Sequence, residues 1–110
     1  MEHSSQLLKG VLDMCLLALI GEEPSYGYEM VSKLRDRGLE LVSEGSIYPL
    51  LSRLQKRGLV TSYFVESSGG PPRKYYRIAP QGRSQLADWA AEWGRVSTGV
   101  EAVLNEGAGD

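Results

Sequence analysis

The stretch SEGSIYPLLSRLQKRGLV, Ser43 to Val60, decides how the chain folds. Ile47, Leu50, Leu51 and Leu54 recur at the three- and four-residue intervals of one helix face. Ser43 suits an N-cap and Gly58 the position just past a C-terminus. The spacing therefore predicts a helix from Ser43 to about Arg57. With the four apolar residues inward, the outward set is Ser46, Tyr48, Pro49, Ser52, Arg53 and Lys56. Pro49 is the irregular member. It has no N–H to give the Gly45 carbonyl, which predicts a distorted or late-starting first turn.

Upstream, Leu7, Leu8, Val11, Leu12, Cys15, Leu16 and Leu19 also keep helical spacing, predicting a helix from about Ser5 to Ile20 with Gly21 as its stop. Met14, Leu17 and Ile20 make it apolar on further sides, so it must be covered on several sides, one of them expected to be a second subunit. Ser25 is the expected N-cap of a helix from Tyr26 to Arg37, with Met30, Val31 and Leu34 inward and Gly38 as stop. LELV then leads into the third helix. Downstream, LVTSYFVES and RKYYRIA read as strands, and SGGPP between them as the turn of a β-hairpin, or wing.

Pro80 opens the last helix, where its missing N–H costs little. There Leu86, Trp89, Trp93, Val96, Val100 and Val103 alternate steps of three and four. This is an a/d seam of about two and a half heptads. Gly94 and Gly99 weaken it by about 1 kcal/mol each, so it needs a partner. The expected fold is mainly α with a small β-hairpin. A winged helix-turn-helix spans 5–79, a C-terminal dimerisation helix 80–105, and a flexible tail 106–110. Leu8, Val11 and Leu12 of the first helix join the seam residues in the expected dimer interface.

The chain has 110 residues, 42% hydrophobic and 24% charged, a globular composition of single-domain size. Cys15 has no partner for a disulfide and no second thiol for a metal site, so it reads as a core thiol, and no cofactor or metal is expected. The apolar run around it is too short to span a membrane. The start, MEHSSQ, lacks the basic region of a signal peptide, and a cytoplasmic location is expected. His3 is the one histidine, and no nucleophile–base set can be built around it. The glycines of SSGGPPRK lack the strand-to-helix setting of a phosphate loop. No catalytic residue is assigned, and the chain does not read as an enzyme.

Charge is partitioned. From Arg53 to Arg83 there are seven basic residues and one acid, a local +6, while the remainder carries −8 within a net −2. Such a chain can turn a basic face to phosphate. A helix fits the DNA major groove with its N-terminal residues at base edges. Ser46, Tyr48 and Ser52 suit base edges, a thymine methyl or a phosphate. Arg53 suits a guanine or the backbone, and Lys56 and Arg57 suit phosphates. Arg73 and Lys74, after the wing turn, suit the minor-groove edge. Of Tyr26 and Tyr28, one is expected to pack. The other, with Tyr26 as the candidate, would set its hydroxyl on a phosphate beside a helix N-terminus. Trp89 and Trp93 share a face, which serves either a dimer core or a platform for a flat aromatic guest.

EGSIYPLLSRLQKRGLV followed by GGPPRKYYRIAPQGR, with LALIGEEPSYGYEMVSKL before them, closely resembles the signature of PadR-type transcriptional regulators. The resemblance runs from about Leu7 to Leu104, and the length is similar to the short subfamily with one C-terminal dimerisation helix. It implies a homodimeric repressor of an inverted-repeat operator in double-stranded DNA, with Ser43–Arg57 as recognition helix and Arg73 and Lys74 as the wing pair. In multidrug-sensing members it implies a tryptophan, here Trp93 in EWGRV, that sandwiches flat aromatic compounds across the dimer. Trp89 and Ser97 complete the candidate ligand set. Ser97 stands where those members carry an acid, and Ala79 where Thr is frequent. The alternatives are a ligand-independent regulator, an activator, or a protein-interaction module using the C-terminal seam.

Overall fold

The computed structural model describes residues 7–40 and 42–109, with side chains as far as Asn105. In chain order, α1 spans Leu12–Glu22, β1 Ser25–Tyr26, α2 Gly27–Asp36, α3 Glu44–Lys56, β2 Val60–Ser67, β3 Gly70–Ile78 and α4 Pro80–Gly109. Residues 5 and 6 of the expected first helix lie outside the described residues.

That helix is not continuous. A single turn at 7–9 closes through hydrogen bonds from Gly10 N to Leu7 O and Val11 N to Leu8 O. Val11 (φ −124°, ψ −8°) then caps a new start at Leu12. Glycine costs backbone entropy in a helix, so Gly10 is a natural breakpoint. Nor does Gly21 end α1, which runs on to Glu22. Gly21 instead gives close approach: a Cβ there would stand 3.4 Å from Ile78 Cδ1 and 3.7 Å from Leu86 Cδ2.

The core gathers Leu12, Leu16, Leu17, Leu19 and Ile20 of α1 with Met30, Val31 and Leu34 of α2, Ile47, Leu51 and Leu54 of α3, and Val42, Leu59, Val60 and Tyr76. The extra apolar sides of α1 are thus largely covered by its own domain. Leu12, assigned from the sequence to a dimer surface, is 4% exposed within this core. Leu50 packs at its edge, half-buried.

Both helix stops at Gly38 and Gly58 occur as expected, at φ +104° and +76°. Leu39 N bonds Leu34 O and Gly38 N bonds Arg35 O; Leu59 N bonds Leu54 O and Gly58 N bonds Gln55 O. These paired bonds are Schellman closures, which require a left-handed residue and so favour glycine. Ser43 holds the N-cap position of α3, yet its hydroxyl meets the Ser46 hydroxyl at 2.8 Å instead of bonding a backbone N–H. The helix runs from Glu44 without interruption across Pro49, opening with an ordinary Ser46 N to Ser43 O bond, so the distorted or late-starting first turn expected from the sequence does not occur. Gly45 and Pro49 are both exposed, leaving the carbonyl that Pro49 does not bond open to solvent.

The hairpin forms, but its turn is tighter than expected: it turns at Gly69 (φ +75°), and Gly70, Pro71 and Pro72, expected in the turn, belong to β3, while Val60 pairs with Ile78, Tyr63 with Tyr75 and Val65 with Arg73. A third strand joins it. The sheet order is β1-β3-β2, all antiparallel, with Ser25 opposite Tyr76 and Tyr26 opposite Tyr75. Ser25 is therefore a buried strand residue and not a helix cap. Its hydroxyl donates to Glu23 O and accepts from Lys33 Nζ. Tyr26 occupies the N-cap of α2 without a side-chain bond.

Thirty residues make α4 about 45 Å long, and the molecule measures 60 × 30 × 20 Å. Leu86 and Trp89 pack on the core. Beyond them the seam stands open, from Trp93 at 48% exposed to Val103 at 72%. The expected tail at 106–110 is helical as far as Gly109.

Candidate nucleic-acid interface

A groove of about 720 Å³ opens between the wing, the start of α2 and one flank of α3. Tyr48, Ser52 and Gln55 line it from α3, Tyr26 and Tyr28 from the β1–α2 junction, and Arg73 and Lys74 from β3. Steps of four and three put Tyr48, Ser52 and Gln55 in one helical row. Gln55, absent from the outward set expected from the sequence, is marked by that spacing alone. Pro49, Ser52 and Lys56 stand exposed on the outward face of α3.

Tyr48 is held from two sides. Its hydroxyl donates to Glu44 Oε2 at 3.2 Å. Burial first, then the hydrogen bond to and the charge of Glu44, push its phenol above the ordinary tyrosine value, so it stays neutral. Its ring lies against Gly27, where a Cβ would come within 2.8 Å of two ring carbons. No apolar periodicity marks such a requirement.

On the wing, the Arg73 guanidinium lies 4.7 Å from the Tyr26 ring centre. Tyr26 meets Tyr75 at 5.2 Å, Tyr75 stacks with Tyr63 at 5.8 Å, and Arg77 lies over Tyr63 at 4.6 Å. The alternation of β3 places Arg73, Tyr75 and Arg77 on one sheet face. Tyr26 thus offers its ring to Arg73. A guanidinium stacked in this way keeps its N–H rim free for phosphate. Lys74, on the other face, has Nζ 5.6 Å from the Tyr76 ring centre.

Two basic residues expected at DNA are engaged elsewhere. Arg53 Nη2 donates to both Asp13 carboxylate oxygens, at 3.3 and 3.4 Å. Arg57 Nη2 donates to Gln85 Oε1 at 3.3 Å, and its guanidinium lies 5.6 Å from the Trp89 ring centre. Ser46 is exposed and paired with Ser43.

The candidate ligand residues do not all converge. Trp89 and Trp93 share a cleft of about 300 Å³ with Lys9, Asp13, Met14 and Glu92, at the start of α1. Ser97 lies outside it, and its hydroxyl donates to the Gly94 carbonyl. Cys15 is half-buried, and burial raises its pKa, which keeps the thiol protonated. Among the described residues, no group of three or more His, Cys, Asp or Glu is placed to hold a metal ion, and no helix is long and apolar enough to cross a membrane.

The family model for the transcriptional regulator PadR-like family matches residues 16–88. The chain belongs to the PadR-like family. A PadR-like transcriptional regulator of Bacillus cereus is 50% identical in a solved structure that aligns with a TM-score of 0.80, covering 90% of this chain and 96% of that one. An uncharacterised protein of Lysinibacillus sphaericus is 34% identical over 91% of this chain and 94% of its own length. Bacillus subtilis PadR, solved in complex with operator DNA, is 26% identical with a TM-score of 0.66, over 73% of this chain and 46% of that one. This PadR-like chain is thus a transcriptional regulator with a DNA-binding winged-helix fold, not an enzyme.

Proposed function

We propose that the protein is a homodimeric repressor of an inverted-repeat operator, in which α3 enters the major groove and the wing reaches the flanking minor groove. The observation that carries this is the placement of the Tyr48–Ser52–Gln55 row across one groove from Arg73 and Lys74. Base-reading side chains and phosphate-binding cations then approach one duplex together. Lys56 and Ser52 reach from the outward face of α3. The operator complex of the B. subtilis relative supports the same use of this fold.

The exposed row Trp93, Val96, Val100 and Val103 supports the dimer, because an apolar stripe of this kind is stable only when covered. Dimerisation there would carry two recognition helices to successive major grooves, about 34 Å apart. The cleft at Trp89 and Trp93 supports a flat aromatic effector stacked beside the interface. Such a ligand acts only if it favours one dimer geometry over the other.

The test is fluorescence anisotropy with a duplex from upstream of the protein's own gene and a scrambled duplex of equal length. The upstream duplex should bind at least about 10³-fold more tightly, with affinity falling steeply as salt rises. Equal affinity for both would refute sequence-specific binding at that site. Transcription from that promoter in vitro should fall on adding the protein; a rise would make it an activator.

A further inference from the structure

We infer that Arg53 is a positioning residue of the recognition helix, and that its pairing with Asp13 sets how α3 sits against the helices proposed to form the dimer. The inference rests on the DNA-binding reading above. At about 100° per residue, Arg53 lies about 140° and Arg57 about 180° around α3 from Tyr48. They occupy the flank away from the groove row. One turn apart, they reach two different elements: Arg53 the Asp13 carboxylate of α1, and Arg57 the Gln85 amide and Trp89 ring of α4.

Ile47, Leu51 and Leu54 fix the depth and inward face of α3 in the core, while hydrogen-bonded contacts add direction at its flank. The two arginines supply the direction. Asp13 is the less exposed partner, its side chain 27% accessible against 54% for Arg53. Taking Arg53 away to a phosphate would leave that carboxylate without its cation. Asp13 and Trp89 also line the cleft beside Trp93, so the same two residues touch the interface helices and hold the recognition helix.

The assignment makes a prediction of sign. Removing the negative charge of Asp13 should tighten binding to any DNA if only long-range charge matters. A positioning role requires Asp13→Asn to weaken operator binding. We expect a loss of about two- to fivefold per half-site, the range of an exposed ion pair. Arg53→Ala should lose a similar factor on the upstream duplex, little on the scrambled one, and leave the salt slope unchanged. The double variant should be no worse than either single one, and Arg53→Lys should recover part of the loss. Thermal melts of each variant confirm that the compared proteins are folded, and Asp13→Asn carries the test alone should Arg53→Ala not fold. The inference is overturned if Asp13→Asn binds as tightly as wild type or more so. It is also overturned if Arg53→Ala weakens both duplexes and lowers the salt slope by about one per subunit, the signature of a lost phosphate contact. A wild-type protein that fails to discriminate the two duplexes would bring down the DNA-binding reading and this inference together. Discrimination by wild type with a neutral Asp13→Asn would bring down the inference alone.

Discussion

Tyr48 packs so closely on Gly27 that a Cβ on Gly27 would stand 2.6 Å from the phenolic oxygen. The first residue of α2 is in this way a seat for a side chain of α3. The Tyr48 ring is half-exposed, with solvent on its outer side, so Gly27→Ala should displace it outward without unfolding the domain. Operator affinity should fall about fivefold, the value of one net hydrogen bond, with the melting temperature changed by a few degrees at most. Gly27→Ala combined with Tyr48→Ala should lose no more than Tyr48→Ala alone. Full additivity in anisotropy titrations would show that the glycine acts elsewhere.

The Tyr26 ring under Arg73 makes a second prediction, in which ring and hydroxyl separate. Tyr26→Phe keeps the π face and should bind DNA nearly as wild type. Tyr26→Ala removes the face and should weaken binding to all sequences by about two- to fivefold, the range of an exposed cation–π contact. Arg73→Ala should weaken all sequences and lower the salt slope by about one per subunit. A Tyr26→Phe loss equal to that of Tyr26→Ala would instead support the hydroxyl-to-phosphate role expected from the sequence.

What could be read in advance divides by physical origin. The inward row of α3 and the stops at Gly38 and Gly58 are local consequences of periodicity and left-handed geometry, and both were legible. Ser25 reads as a cap because a Ser before a helical pattern is a good cap in isolation. Its pairing with Tyr76 depends on a strand fifty residues away. The contacts of Arg53 and Arg57 lie beyond local pattern for the same reason, since Asp13 and Gln85 are 40 and 28 residues distant. An outward basic residue looks free until the opposing helix is in place. Leu12 shows the converse, an apolar residue assigned to a partner that its own domain already covers.

Val100 lies midway along the open stripe of α4, half-exposed and without core contacts. A charge at the centre of a dimer seam would be buried unpaired, whereas in a monomer it would be solvated. Val100→Glu should therefore shift sedimentation from dimer to monomer while the domain around α1–α3 keeps its fold. Operator affinity should collapse toward the single half-site value. A protein that sediments as the same dimer with Glu at 100 would place the interface elsewhere.

Gly82 sits in the first turn of α4, directly beneath the turn that joins α3 to the wing. A Cβ there would collide with the Leu59 carbonyl oxygen, and would stand 2.8 Å from Ile78 Cγ1 and 3.0 Å from the Leu59 carbonyl carbon. Leu59 O is also the acceptor for Ala79 N, the bond that leads the chain from β3 into α4. Unlike the ring facing Gly27, this obstacle is backbone and cannot swing aside. Gly82→Ala improves helix propensity by about 1 kcal/mol, so a purely local view expects stabilisation. The clash should outweigh that gain, because overpacking against a fixed backbone costs about 1–3 kcal/mol or more and here also threatens a hydrogen bond. Urea denaturation should show a lower midpoint for Gly82→Ala with an unchanged slope. Gly94→Ala makes the contrast, since a Cβ at Gly94 meets nothing within 4 Å. That variant should raise the midpoint, and a Gly82→Ala midpoint raised alongside it would mean that α4 does not seat against Leu59.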